Sequence, residues 1–273
     1  MEKKFEKQTF SKRLKSMLQV DSRRMLTIPF FYIMIGISFV VPILILVMTT
    51  MMDGTVTVNP QTGLPSEPMQ GFDNIWQILG AVSGGEASEG SAAMSMDLVS
   101  MCNIHMMYFA VCVLVCVFIG DDFRSGYAKN LFTVRAQKTD YVISKTVVCF
   151  VGGAGMLLAF FVGSMLGGAI AGLPFTMTGF DVGNLVASML AKIFLVPIFV
   201  SIYALMSVIA KQKVWLSILL SFGVGMFLFN IAPMVAPLDA GVLNVLLSFV
   251  GGGLFSVGLG AISNVVLKKT SLV

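Results

Sequence analysis

The sequence predicts an all-α polytopic membrane protein: six transmembrane helices, an N-terminal amphipathic interfacial helix and a cytoplasmic coupling helix between the second and third spans. Three observations predict it. Of the 273 residues, 56% are hydrophobic and only 12% charged, and the mean hydropathy is +0.89. A soluble domain of this length needs more polar surface to cover its core. Six apolar runs, at about 28–52, 101–119, 146–172, 190–210, 214–236 and 241–267, are each long enough to cross about 30 Å of hydrocarbon. Finally, the Lys and Arg clusters fall between these runs in the alternation expected of loops on one side. Backbone groups cannot stay unpaired in lipid, so such runs are helices, and none shows the alternation of barrel strands.

The elements follow in order. Residues 1–27 form a basic arm carrying Lys3, Lys4, Lys7, Lys12, Arg13, Lys15, Arg23 and Arg24. Phe10, Leu14, Met17 and Leu18 share one helical face with Lys12, Lys15 and Gln19 opposite, the pattern of a helix lying on anionic membrane lipids. The first apolar run starts near Ile28, exceeds a signal h-region and has no small-residue cleavage site after it, so it reads as a span. The outer loop, 53–100, holds Asp53, Glu67, Asp73, Glu86, Glu89 and Asp97 and no base. It is rich in Gly, Pro and Ser around FDNIWQIL, which is expected to make a turn or two of interfacial helix.

Bases return in the 120–145 loop, at Lys211 and Lys213, and at Lys268 and Lys269 in the 268–273 tail. With six spans every cluster lies on one side, which makes both termini cytoplasmic and 28–267 the transmembrane domain. Lys192 alone breaks the pattern, near the outer end of the fourth span, where its stem is expected to snorkel to the headgroups. Cys102, Cys112, Cys116 and Cys149 lie in or beside apolar runs and suggest no disulfide framework.

The loop GDDFRSGYAKNLFTVRAQKTDYVISK is long for a connector. Phe123, Tyr127, Leu131 and Val134 recur at near-helical spacing, which predicts a short amphipathic helix flanked by bases. A solvated, positive-inside connector is one reading. The other is a docking surface, since an exposed helix with an apolar face is a typical partner-binding element.

The pattern Asp122-x-x-x-Gly126, Lys129-Asn130-Leu131, Arg135 and Asp140-Tyr141-Val142-Ile143-Ser144-Lys145 resembles the first cytoplasmic loop of ABC-2-type permeases. These are the six-span membrane subunits of bacterial exporters, including small ones that handle lantibiotics and other antimicrobial peptides. The basic amphipathic arm, long first outer loop and short basic tail extend the resemblance over most of the chain. It departs in having Asp122 where Glu is commoner, and in lacking the Gly or Pro often found before the loop arginine. The resemblance implies a coupling helix that docks in a cleft of a cytoplasmic ABC ATPase dimer. Asp122 and Gly126 would shape the loop. Phe123, Arg124, Tyr127, Lys129, Leu131 and Arg135 would contact the ATPase. It also implies a second permease chain, identical or related, a bacterial plasma membrane, and an amphipathic or hydrophobic substrate such as an antimicrobial peptide or lipid.

Other function classes fit less well. GxxxxGK[ST] is absent, so this chain is read as no enzyme and as carrying no cofactor, with ATP and Mg on the partner subunit. The small net charge of +4 gives no reason for nucleic-acid binding. No acid falls within an apolar run, which argues against self-energised, ion-coupled transport. GGGLFSVGLG at 251–260 lies inside the sixth span and reads as helix packing, as do Gly163-x-x-x-Gly167 and Gly168-x-x-x-Gly172 in the third. Pro42, Pro197, Pro233 and Pro237 are expected to kink their spans. Met94, Met96 and His105 are soft ligands near the outer mouth and candidates for Cu(I), although Met is also a common packing residue. The alternative function is a non-transporting scaffold or sensor that docks a cytoplasmic protein through the 120–145 loop.

Overall fold

The computed structural model describes residues 9–56, 71–82, 102–134 and 138–269. They form nine α-helices and two short 3-10 turns, with no strand among the described residues. The helices are α1 (Phe10–Thr27), α2 (Pro29–Met52), α3 (Met107–Arg124), α4 (Tyr127–Val134), α5 (Lys138–Ala171), α6 (Val182–Ala210), α7 (Val214–Phe229), α8 (Ala232–Val235) and α9 (Val242–Lys269). Five helical stretches, α2, α3 with the 3-10 turn before it, α5, α6 and α9, are long and apolar enough to cross a membrane. This is the architecture of a multi-pass membrane protein.

The fifth apolar run differs from the expectation of one continuous span. Its helix α7 is 16 residues long, and α8 follows after a break at Asn230 and Ile231. The physical reason is Pro233, which has no N–H to offer the carbonyl of Phe229 but sits well in the first turn of a new helix. At about 1.5 Å per residue α7 alone rises about 24 Å. It starts with Val214 against Gly120 and ends with Phe229 beside His105 and Phe109, so it runs alongside α3 from one end of the bundle to the other.

Helix α6 is enclosed as deeply as α3, meeting α3, α5, α7 and α9. Helix α2 buries the stripe Met34, Ser38, Pro42, Leu46 and Thr49 against α5 and turns Tyr32, Ile33, Ile37, Val40 and Leu44 outward. Glycines set that contact. A Cβ on Gly163 would strike the carbonyl of Phe39, and one on Gly167 would lie 2.7 Å from the Cα of Ile43. Gly163 and Gly167 therefore pack within this chain, against α2, whereas Gly168 meets Ile75 and Gly172, just past the end of the third span's helix, meets nothing within 4 Å, so that second pair does not pack helices as expected. Gly252 does the same for α9 against the carbonyl of Phe194, whereas Gly251, Gly253 and Gly258 face open space.

Several helices extend beyond their apolar runs. Helix α5 begins at Lys138 rather than near 146, with Asp140 in its first turn, where the helix dipole favours an acid. Helix α6 begins at Val182, fixed by a capping box in which Asp181 accepts from the N–H of Asn184 and Asn184 accepts from the N–H of Asp181.

Two further expectations are corrected. The FDNIWQIL piece is packed into the protein rather than lying on its surface. Its 3-10 turn, Ile75–Leu79, is buried at one end of the bundle, with Ile75 against Gly168 and Trp76 edge-on to Phe175 and Phe180. Lys192 does not snorkel. It is 0% exposed and donates to Ser188 Oγ and, at 2.6 Å, to the carbonyl of Ala236. Those acceptors are at hand because α8 and the residue after it fold over this end of α6.

Candidate functional site

The candidate site is a buried ionic cluster at the bundle end where α1, α3, α4, α5 and α9 meet. It begins with the spacing of α1. Met17, Asp21 and Met25 recur every four residues and form the buried stripe of that helix, which packs on α5. An acid in the middle of an apolar stripe requires a partner. Asp21 finds Lys145 at 2.9 Å and accepts a 2.6 Å hydrogen bond from the hydroxyl of Ser144.

Asp122 sits in the last turn of α3, where the helix dipole opposes an acid. It is 0% exposed and is held by three groups: Arg24 at 2.6 Å, Lys145 at 2.7 Å and the donating hydroxyl of Tyr141 at 2.9 Å. Two acids and two bases thus enclose one another without net charge. Burial works against the charge on Arg24, yet Asp122, with Tyr127 and Asp21 adding to it, raises the guanidinium above its ordinary pKa. Both cations also lie over rings, Arg24 at 4.0 Å from the centroid of Tyr127 and Lys145 at 4.0 Å from that of Phe118.

Tyr127 is the first residue of α4, so this stacking ties the short helix to α1. The turn that delivers it needs Gly126, whose φ of +74° is a left-handed conformation. Ser125 closes the end of α3 by donating its N–H and hydroxyl to the carbonyl of Asp121. Below, Ala128 is buried and Phe132 stands edge-on to Tyr141 at 5.2 Å. The perimeter is tied as well: Arg13 pairs with Asp140 at 3.0 Å, and Lys138 donates to the carbonyl of Leu267 in α9 at 2.6 Å.

The expected contact residues divide. Arg124, the last residue of α3, is exposed, as are Lys129, Asn130 and Thr133 on the outward face of α4. Tyr127 and Leu131 are half-buried, one under Arg24 and the other against the core. Phe123, expected on the docking surface, is only 7% exposed and packs edge-on to Tyr141 inside the bundle. Asp122 is likewise internal. Arg135 lies outside the described residues, as do Met94 and Met96. His105 is buried at the opposite end between Tyr108 and Phe229, with Nδ1 3.1 Å from Asn103 Oδ1.

Comparison with protein-family models, with curated proteins and with solved structures gives no match.

Sequence reasoning missed Asp21, Arg24, Tyr141, Ser144 and Lys145 as members of one site. One signal was present: Asp21 breaks the apolar face of α1 midway between Met17 and Met25. A charge on such a face reports a buried counter-charge, but not which helix supplies it.

Proposed function

We propose that the chain is the membrane-spanning permease subunit of an ABC-2-type exporter, with α4 as the coupling helix that a cytoplasmic ATPase dimer grips. The observation that carries this reading is the attachment of α4. Through Tyr127, Arg24, Asp122 and Lys145 an exposed eight-residue helix is linked to α1 and to the ends of two spans. Force applied to its outer face therefore reaches the bundle through ion pairs and packed rings rather than through a loose loop. That outer face carries Lys129, with the exposed Arg124 shortly before it at the end of α3, both suited to acidic groups on a partner.

Six crossings belong to the same reading and are supported by the course of α7 from Gly120 to His105. So do cytoplasmic termini, a second permease chain, a bacterial plasma membrane and an amphipathic or hydrophobic substrate, which rest on the positive-inside pattern and the loop resemblance.

The test is co-purification after gentle detergent extraction from native membranes. An ATPase is recovered with the wild-type chain, and its vanadate-sensitive hydrolysis depends on that chain. The double variant Arg124→Glu, Lys129→Glu loses it while inserting normally. Retention of the ATPase by that variant, or no ATPase with the wild type, overturns the proposal.

A further inference from the structure

A second feature of the same bundle end is independent of any transport function. Between the first turns of α5 and the last turns of α9 lies an open groove of about 440 Å³, lined by Thr139, Val142, Ile143, Val147, Gly260 and Asn264 among others. It exists because Gly260 and Ala261 leave the α9 wall without bulk, and the missing Cβ of Gly260 would only reach Val142 Cγ1 at 3.8 Å. From Thr139 to Val147 the groove runs about 12 Å along the helix at about 1.5 Å per residue.

The lining is graded. Val142, Ile143, Val147, Val257 and Gly260 make an apolar floor. Thr139, Thr146, Ser256 and Asn264 add polar side chains to the wall. At the mouth stand cations. Lys138 bridges α5 to the carbonyl of Leu267, and the exposed Lys268 and Lys269 follow directly on α9.

We propose that this groove holds one anionic phospholipid. Its phosphate lies among Lys138, Lys268 and Lys269, and its upper methylenes lie on the Val142–Val257 floor. A second copy of the chain is the poorer occupant. Packed in parallel, it would bring its own Lys268 and Lys269 to the same level, and like charges face to face are repulsive.

The test uses the full chain extracted in mild detergent and titrated with phosphatidylglycerol or phosphatidylcholine, with bound lipid read by native mass spectrometry. One phosphatidylglycerol per chain is retained in preference to phosphatidylcholine. Replacing Lys268 and Lys269 by Ala lowers that preference by about fivefold per charge. Gly260→Phe fills the groove and abolishes retention of the lipid. The lysine variant touches no packed side chain, so it decides the matter even if Gly260→Phe fails to fold. Equal retention of both lipids by the wild type, unchanged preference in the lysine variant, or disulfide-linked dimers of a Val257→Cys chain in membranes would each overturn the assignment.

Discussion

Arg24 holds its guanidinium 4.0 Å above the ring of Tyr127 while the same group pairs with Asp122 at 2.6 Å. One side chain thus joins an N-terminal helix, the end of a span and the start of the short exposed helix α4. The consequences can be measured.

Asp122→Asn leaves two buried cations facing one acid. Removing one partner of a buried pair costs about 3–5 kcal/mol, and the fraction of Arg24 in contact with solvent places this case toward the lower figure. The thermal unfolding midpoint in detergent falls accordingly. Adding Lys145→Met restores neutrality by leaving Asp21 with Arg24, and recovers much of the loss. A double variant as unstable as the single would show that charge balance is not what holds the cluster.

Tyr127 offers Arg24 a ring. Tyr127→Phe keeps the stacking and leaves α4 as protected from amide hydrogen exchange as in the wild type. Tyr127→Leu removes about 1 kcal/mol of cation–π attraction, and exchange across 128–133 rises. Equal exchange in the two variants would remove this contact from the account.

Glycines that look alike in the sequence behave differently. Gly163→Ala forces a Cβ onto the carbonyl of Phe39 and destabilises by about 1–3 kcal/mol, the usual cost of overpacking. Gly253→Ala meets nothing within 4 Å and is neutral or stabilising by up to about 1 kcal/mol through helix propensity. Paired thermal unfolding curves decide it, and the opposite order would displace α2 from α5.

Lys192 is enclosed by Ser188, Ala236 and the main chain above it. Lys192→Cys is therefore refractory to a membrane-impermeant maleimide, while Val182→Cys on the exposed first turn of the same helix reacts. Rapid labelling at 192 would return that residue to the membrane surface.

The order in which these features became legible has a physical basis. Apolar runs long enough to need helical hydrogen bonding are local facts, and so is the near-helical spacing of Tyr127, Leu131 and Val134. Helix type and the presence of α4 were readable from neighbours in the chain for that reason. The break between α7 and α8 was also local, since Pro233 signals it, although a run of apolar residues conceals it.

Partners are another matter. Asp21 reaches Ser144 across 123 residues, and Arg13 reaches Asp140 across 127. Nothing near Asp21 in the chain says whether it meets water, lipid or a lysine. By itself, then, the amino-acid order determined that the chain is helical, apolar and built to cross a membrane several times, because backbone pairing in lipid permits little else. Only the tertiary structure decided that Asp21, Arg24, Asp122 and Lys145 neutralise one another, that Phe123 and Lys192 turn inward, and that Gly163 and Gly167 serve α2. Each depends on which helices become neighbours, and that choice is made by packing between segments far apart in the chain.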